Sequence, residues 1–303
     1  VGYATPLAGA SADPVPHGAP AVGAYDGHVP ELPEVETVRR RLAPVLEGAT
    51  IERAEILDPR LTRPVEPGIV AEQLAGESVV TLERRGKYLL WRLASGRTLV
   101  VHLRMTGSFR HAPGGRLPDD AYRRASLTLD TGAEVGYRDV RRFGTWELLD
   151  EDHLTPYLAQ RLGPEPLSSS FSAARLGASM AGRRAPVKAF LLDQRRLAGI
   201  GNIYADEALW RARIHPLRPT GELDAGEVAR LHRSLRAALR RGVELQGSTL
   251  RDYATPDGDG GGMQHEFHVY GRLGAPCDRC GRPIERIVVG GRGTWFCPRC
   301  QRL

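Results

Sequence analysis

Cys277, Cys280, Cys297 and Cys300 are the only cysteines in the chain, and all lie in its last 27 residues. They read Cys-x2-Cys-x16-Cys-x2-Cys, two thiol pairs each on a tight turn, a spacing that suits one tetrahedral zinc ion. Unused thiols or disulfides are the other reading. Cysteines gathered in one short segment favour a metal in a reducing compartment over a secreted disulfide framework. Between the pairs, Ile284–Val289 and Thr294–Phe296 read as strands, with Gly290-Gly291-Arg292-Gly293 at the tip. The metal would staple a hairpin too small to have its own core. From His268 onward seven arginines stand against only Asp278 and Glu285. An arginine at a stapled tip suits phosphate contact; a merely solvated arginine is the alternative.

A second cluster, Pro30-Glu31-Leu32-Pro33-Glu34-Val35-Glu36, places prolines and carboxylates where a helix starts. On spacing alone it need be nothing more than that. The helix it opens, 34–46, carries Val35, Val38, Leu42, Val45 and Leu46 on one stripe. Short β-like runs follow at Val79–Leu82, Tyr88–Leu93, Thr98–Leu103, Ser126–Leu129, Glu134–Tyr137 and Thr145–Leu149, separated by polar turns. Closely spaced strands behind one helix predict a β-sandwich of about 120 residues.

Beyond Leu162-Gly163-Pro164-Glu165-Pro166 the pattern turns helical. Asp224 and Glu227 form a capping box for a helix over 225–245, with Val228, Leu231, Leu235, Ala238 and Leu239 on its buried face. A helix over 202–213 follows the tight turn Gly199-Ile200-Gly201, and the Gly-rich stretch 254–262 reads as a mobile loop. The expected class is α+β and multidomain. Its parts are a β-sandwich domain with flanking helices (30–150), a linker (151–170), a helical domain (171–265) and a metal-stapled hairpin (266–303). Residues 1–29 form a separate extension: of the first 28, sixteen are Ala, Gly or Pro and none is Lys or Arg. Such a segment buries too little apolar surface to order itself, and it lacks the pattern of a secretory signal.

The 303 residues suit two domains and a small third module. At 41% hydrophobic and 26% charged, the composition is that of an ordinary globular protein. No apolar run approaches the roughly 18 residues of a membrane span. Past residue 28, 42 basic side chains meet 34 acidic ones. That surplus favours a polyanionic partner, nucleic acid before membrane, with a generally basic surface as the alternative.

Pro30-Glu31-Leu32-Pro33-Glu34-Val35-Glu36-Thr37 resembles the start of bacterial formamidopyrimidine-DNA glycosylases. Further motifs follow in that family's order: Lys87 within Arg84-Arg85-Gly86-Lys87-Tyr88-Leu89-Leu90, then His102-Leu103-Arg104-Met105-Thr106-Gly107, Asp139-Val140-Arg141-Arg142-Phe143-Gly144, Gly199 to Glu207, and the four cysteines. The resemblance spans residues 30–303 and implies that 30–150 is the catalytic β-sandwich domain, 171–265 a helix-two-turn-helix DNA-binding domain and 266–303 a zinc-finger hairpin. Leu32 after Pro-Glu, rather than Gly, favours this family over endonuclease VIII.

The resemblance implies a bifunctional glycosylase and abasic-site lyase acting on oxidised purines in double-stranded DNA, a cytoplasmic, nucleoid-associated monomer with one structural zinc. The Pro30 amine would attack C1′ and form an iminium, and β- and δ-elimination would cut both sides of the sugar. Glu31 would donate and shuttle protons, Lys87 would support β-elimination, and Arg292 would assist δ-elimination. A base must leave the helix to react, and Met105, Arg141 and Phe143 match the residues that fill its place. Asn202 would receive phosphate at a helix start, Arg183 and Lys188 match DNA-contacting positions, and 254–262 corresponds to a loop closing over the flipped base.

Two features depart from the family. Tyr122-Arg123-Arg124-Ala125 stands where a His-Asp-His-Val segment is expected. Pro30 is preceded by Val29, so its nitrogen is an amide without a lone pair for iminium chemistry. Val1 and Val29 both fit GTG start codons read literally, and we expect the working chain to begin at Pro30 after loss of an initiator methionine at position 29; proteolysis would give the same product. The competing readings are an endonuclease VIII-like enzyme for oxidised pyrimidines and a non-catalytic, zinc-dependent damaged-DNA-binding protein.

Overall fold

The computed structural model describes residues 29–250 and 253–303; the extension expected over 1–28 lies outside the described residues. The first domain opens with helix α1 (Leu32–Leu46), whose Val35, Val38, Leu42 and Leu46 are buried. Two four-stranded antiparallel sheets follow. One has the order β1 (Ile51–Ile56), β6 (Arg123–Leu129), β7 (Glu134–Asp139), β5 (Gly107–Ala112). The other runs β2 (Val79–Arg85), β3 (Tyr88–Leu93), β4 (Thr98–His102), β8 (Thr145–Leu149). Their inner faces enclose Trp91, Phe109, Tyr137 and Trp146, with ring centroids 5.1–6.3 Å apart. Helix α2 (Pro67–Leu74) packs beside β1.

The β-sandwich matches the expectation, with elements the pattern had hidden. β4 is buried at every position and β3 at all but Arg92, so neither alternates. The reason is cover on both faces: the opposite sheet on one side, and on the other Leu154, Leu162 and Ala198 packed on Tyr88, Leu90 and Val100. Leu154 belongs to α3 (Glu151–Arg161), which occupies the start of the expected linker.

The helical domain comprises α4 (Ala173–Met180), α5 (Val187–Leu192), α6 (Asn202–Ala212) and α7 (Ala225–Glu244). The α7 cap forms as expected: Glu227 N–H donates to Asp224 Oδ1 at 2.7 Å, and Asp224 N–H donates to Glu227 Oε2 at 3.1 Å. α6 is almost wholly buried, lying against α5, α7 and the last hairpin, β9 (Glu285–Val289) with β10 (Arg292–Phe296). Gly290 and Gly291 both have positive φ (58° and 74°), which makes a two-residue turn suited to the strand twist. Arg292 therefore opens β10 rather than lying inside a longer loop. Residues 254–262 form a turn tied to the sandwich: Asp257 meets His111 Nε2 at 2.8 Å and Arg41 at 3.3 Å.

At Gly242 in α7, a Cβ would lie 2.5 Å from the Tyr204 ring of α6, and that ring is pinned because its hydroxyl donates to Glu34 Oε1 at 3.0 Å. Alanine ordinarily gains about 1 kcal/mol over glycine inside a helix. Here we predict the opposite sign: Gly242→Ala destabilises by about 1–3 kcal/mol through overpacking, as read from urea unfolding. A stabilised variant would contradict this packing.

Candidate active site at the domain junction

A cavity of about 550 Å³ opens where the sandwich, the helical domain and the last hairpin meet. Its walls include Val29, Glu31, Lys87, His102, Met105, Phe143, Asn202, Tyr270 and Arg292. Residues distant in sequence, among them Glu31, Lys87 and Arg292, thus share one site.

Glu31 is set by backbone. Its carboxylate accepts the N–H groups of Gly201 (2.7 Å) and Ile203 (2.8 Å) at the start of α6, while its own N–H donates to Glu34 Oε2 at 2.9 Å. Donors at a helix N-terminus favour the anion. Burial opposes them and prevails, raising the Glu31 pKa to about 7 despite the attraction of Lys87. Lys87, the second residue of the two-residue β2–β3 turn, is half-buried. Its pKa is lowered by desolvation and by Arg292, against the pull of Glu31 and Glu34. The site therefore holds a carboxyl group able to exchange protons near neutral pH beside an amine that parts with its proton more easily than usual. Pro30 is buried at the edge of this group, bonded to the cavity-lining Val29.

Of the three residues expected to enter DNA, Met105 and Phe143 line the mouth of the cavity and Arg141 stands beside Phe143. Phe143 is 49% exposed, with the exposed Arg141 guanidinium 4.8 Å from its ring centre. Met105 is half-buried on the cavity wall. A large aromatic left this open is not a core residue. Asn202 donates through Nδ2 to Gly293 O at 2.9 Å, tethering the start of α6 to the hairpin. Arg183 lies elsewhere, with Arg184 and Arg196 around a separate groove of about 370 Å³.

Lys188 corrects an expectation. It is wholly buried rather than presented to DNA, paired with Asp206 at 2.7 Å and donating to Gly293 O (3.0 Å) and Thr294 Oγ1 (2.8 Å). Asp206 also accepts the Trp295 N–H at 3.0 Å. The pair joins α5 and α6 to β10 and so holds the strand that Arg292 begins. Nothing in the local sequence signals this, because Asp206 and Thr294 come from other elements.

The sequence gives His102 no role of its own, although it opens the segment His102-Leu103-Arg104-Met105-Thr106-Gly107. It lines the cavity, and its Nδ1 accepts the Arg104 N–H at 3.0 Å. Burial, with Arg104 and Lys87 nearby, pushes its pKa down to about 3. It is therefore neutral at physiological pH, with Nε2 carrying the proton. Tyr270 was missed too; its backbone N–H and those of His268 and Val269 converge on the buried Glu207 carboxylate.

The sulfur atoms of Cys277, Cys280, Cys297 and Cys300 all lie within 4.8 Å of one another, with pairs at 3.5 and 4.0 Å. Four thiolates about 2.3 Å from a tetrahedral zinc are about 3.8 Å apart, so the cluster fits that ion and forms no disulfide. The Trp210 indole N–H donates to Cys277 Sγ at 3.4 Å, a supporting bond from α6.

Three family models match the chain: Formamidopyrimidine-DNA glycosylase N-terminal domain over residues 29–146, Formamidopyrimidine-DNA glycosylase H2TH domain over 162–254, and Zinc finger found in FPG and IleRS over 274–303. A formamidopyrimidine-DNA glycosylase of Geobacillus kaustophilus is 47% identical, covering 90% of this chain and 100% of that protein. A Lactococcus lactis protein in complex with DNA containing a formamidopyrimidine form of deoxyguanosine superposes with a TM-score of 0.85 at 38% identity, covering 90% of this chain and 100% of that one. A second Lactococcus lactis complex, with DNA containing an oxidized pyrimidine, gives 0.84 at 38% identity with the same coverage. Among the described residues, no helix is long and apolar enough to cross a membrane.

The Lys188–Asp206 pair gives a measurable expectation. Lys188→Met leaves a buried carboxylate unpaired, and we predict a loss of about 3–5 kcal/mol in denaturant unfolding. A loss below about 1 kcal/mol, the range of an exposed pair, would contradict the burial.

Proposed function

This chain belongs to the formamidopyrimidine-DNA glycosylase family, DNA-repair enzymes with glycosylase and abasic-site lyase activity, and from that premise we propose that it excises oxidised purines through the Pro30 nitrogen. The carrying observation is the shared cavity: Glu31, Lys87 and Arg292 line it together with Val29, the residue bonded to that nitrogen. A secondary amine freed there has an ordinary pKa near 8 and is partly neutral at physiological pH. Its lone pair forms the bond to C1′ as the bond to the damaged base breaks, and the opened sugar becomes an iminium.

Glu31 protonates the sugar as it opens, a role its raised pKa suits. The iminium then draws electrons from C2′, so loss of a C2′ proton expels the 3′ phosphate, and a second elimination expels the 5′ phosphate. Lys87 exchanges protons in the first elimination. Arg292 assists the second and binds phosphate. Met105, Arg141 and Phe143 occupy the space the base vacates, Asn202 and Arg183 contact the DNA backbone, and 254–262 closes over the flipped base. Lys188 acts by holding β10. One zinc ion bound by the four cysteines would keep the hairpin, and Arg292 with it, in place. The chemistry requires that the Pro30–Val29 bond be absent in the working enzyme.

Borohydride trapping on a duplex containing 8-oxoguanine tests this. The chain beginning at Pro30 should become covalently linked to DNA and the 303-residue chain should not. Absence of an adduct from both forms would favour a non-catalytic damage-binding protein. A preference for oxidised pyrimidines in a lesion panel would favour the second reading, which the complex of the Lactococcus lactis relative makes specific.

The pH dependence follows from the two groups. The amine gains its lone pair as pH rises towards about 8. Glu31, with a pKa about 7, loses its proton over the same range. We predict a bell-shaped kcat/KM profile for base excision, and Glu31→Gln should lower excision by about 10²- to 10⁴-fold and abolish the alkaline fall. An alkaline fall that persists in Glu31→Gln would assign it to another group.

A further inference from the structure

The residues placed in the vacated space sit on two chain segments that cross between the sheets side by side. One leaves β4 at His102 and enters β5 at Gly107; the other leaves β7 at Asp139 and enters β8 at Thr145. β4 pairs with β8 and β5 with β7, so His102 faces Thr145 and Gly107 faces Asp139 in register. The two crossings therefore run antiparallel at one end of the sandwich, carrying Met105 on one and Arg141 and Phe143 on the other.

A buried hydrogen-bond chain ties them together. The Arg141 N–H donates to Thr106 Oγ1 at 3.0 Å, the Thr106 hydroxyl donates to Asp139 Oδ1, and Asp139 Oδ2 accepts the Gly144 N–H at 2.8 Å. Thr106 is 6% exposed and Asp139 1%. Gly107 and Gly144 flank the Tyr137 hydroxyl, which leaves neither room for a Cβ.

Each crossing also holds a non-glycine residue in the left-handed region beside a mouth residue: Arg104 (φ 52°) before Met105, and Arg142 (φ 58°) between Arg141 and Phe143. Such conformations persist only where the surroundings enforce them. Arg104 is held by its N–H on His102 Nδ1, and Arg142 by its guanidinium on the buried Asp58 at 2.5 and 2.8 Å.

We propose that Thr106 and Asp139 are positioning residues that lock the two crossings into one rigid wedge, so that Met105, Arg141 and Phe143 enter the duplex as a unit. This rests on the reading that those three residues fill the vacated space. Thr106 suits the task because one hydroxyl both accepts from one crossing and donates to the carboxylate of the other. Valine keeps its shape and loses both bonds.

The test uses the full chain and a duplex with 2-aminopurine next to 8-oxoguanine, whose fluorescence rises as the stack opens. Thr106→Val should slow the rise about tenfold, equivalent to about 1.4 kcal/mol of barrier, the size of one lost hydrogen bond. Thr106→Ser, which keeps the hydroxyl, should restore it. If the valine variant fails to fold, Thr106→Ala carries the same expectation. Opening by the hydroxyl-free variant as fast as in the parent, or by Thr106→Ser as slow as in that variant, overturns the proposal. So does a parent chain that leaves the 2-aminopurine stacked. A normal fluorescence rise with no borohydride adduct from the chain beginning at Pro30 overturns the excision chemistry alone.

Discussion

The Glu31 carboxylate rests on the free N–H groups at the start of α6, and the rest of the site is built outward from that contact. It joins the sandwich domain to the helical domain at the base of the cavity, 2.7 Å from Gly201 N and 2.8 Å from Ile203 N. The backbone reinforces it, with Leu32 N–H donating to Gly199 O at 3.0 Å. Close approach explains the glycines: a Cβ on Gly199 would lie 2.8 Å from Leu32, and one on Gly201 would overlap the Glu31 side chain. From this junction α6 runs to the cysteine cluster, which it meets through Trp210. One buried helix thus sets both the carboxyl group and the hairpin that brings Arg292 to it.

The same junction explains the unusual electrostatics. Two carboxylates, Glu31 and Glu34, lie almost fully buried three residues apart. Glu34 is satisfied by the Glu31 N–H, the Tyr204 hydroxyl and the Ser248 N–H. Glu31 also has backbone donors, but its desolvation is the larger effect. Burial acts on Lys87 in the opposite direction for the same reason, since it penalises whichever form is charged. A solvated carboxyl group would titrate near the ordinary glutamate value of about 4.3, far from the neutral range in which Glu31 exchanges its proton.

Much of this was legible in the chain itself wherever function and local structure coincide. The Asp224–Glu227 cap, the buried stripe of α7 and the cysteine spacing each follow from local rules and appear as expected. Elements whose patterns were distorted by their surroundings stayed hidden. β1 carries Glu and Arg between its apolar residues, and α3 contains Pro156 and buries only Leu154. The family motifs brought out Glu31, Lys87 and Arg292 but misplaced Lys188, because its partners come from α6 and β10. His102 was visible and unassigned, since its neutral state depends on burial that no local pattern reveals.

Burial, not the helix donors, governs the Glu31 carboxyl group. The most direct test is a pH titration of the Glu31 side-chain carboxyl carbon by ¹³C NMR, with the Glu31→Gln spectrum identifying the resonance. A midpoint about 7 is predicted. A midpoint at or below the ordinary glutamate value of about 4.3 would show that the N–H groups of α6 outweigh desolvation, and would contradict the account of Glu31 as a proton donor near neutral pH.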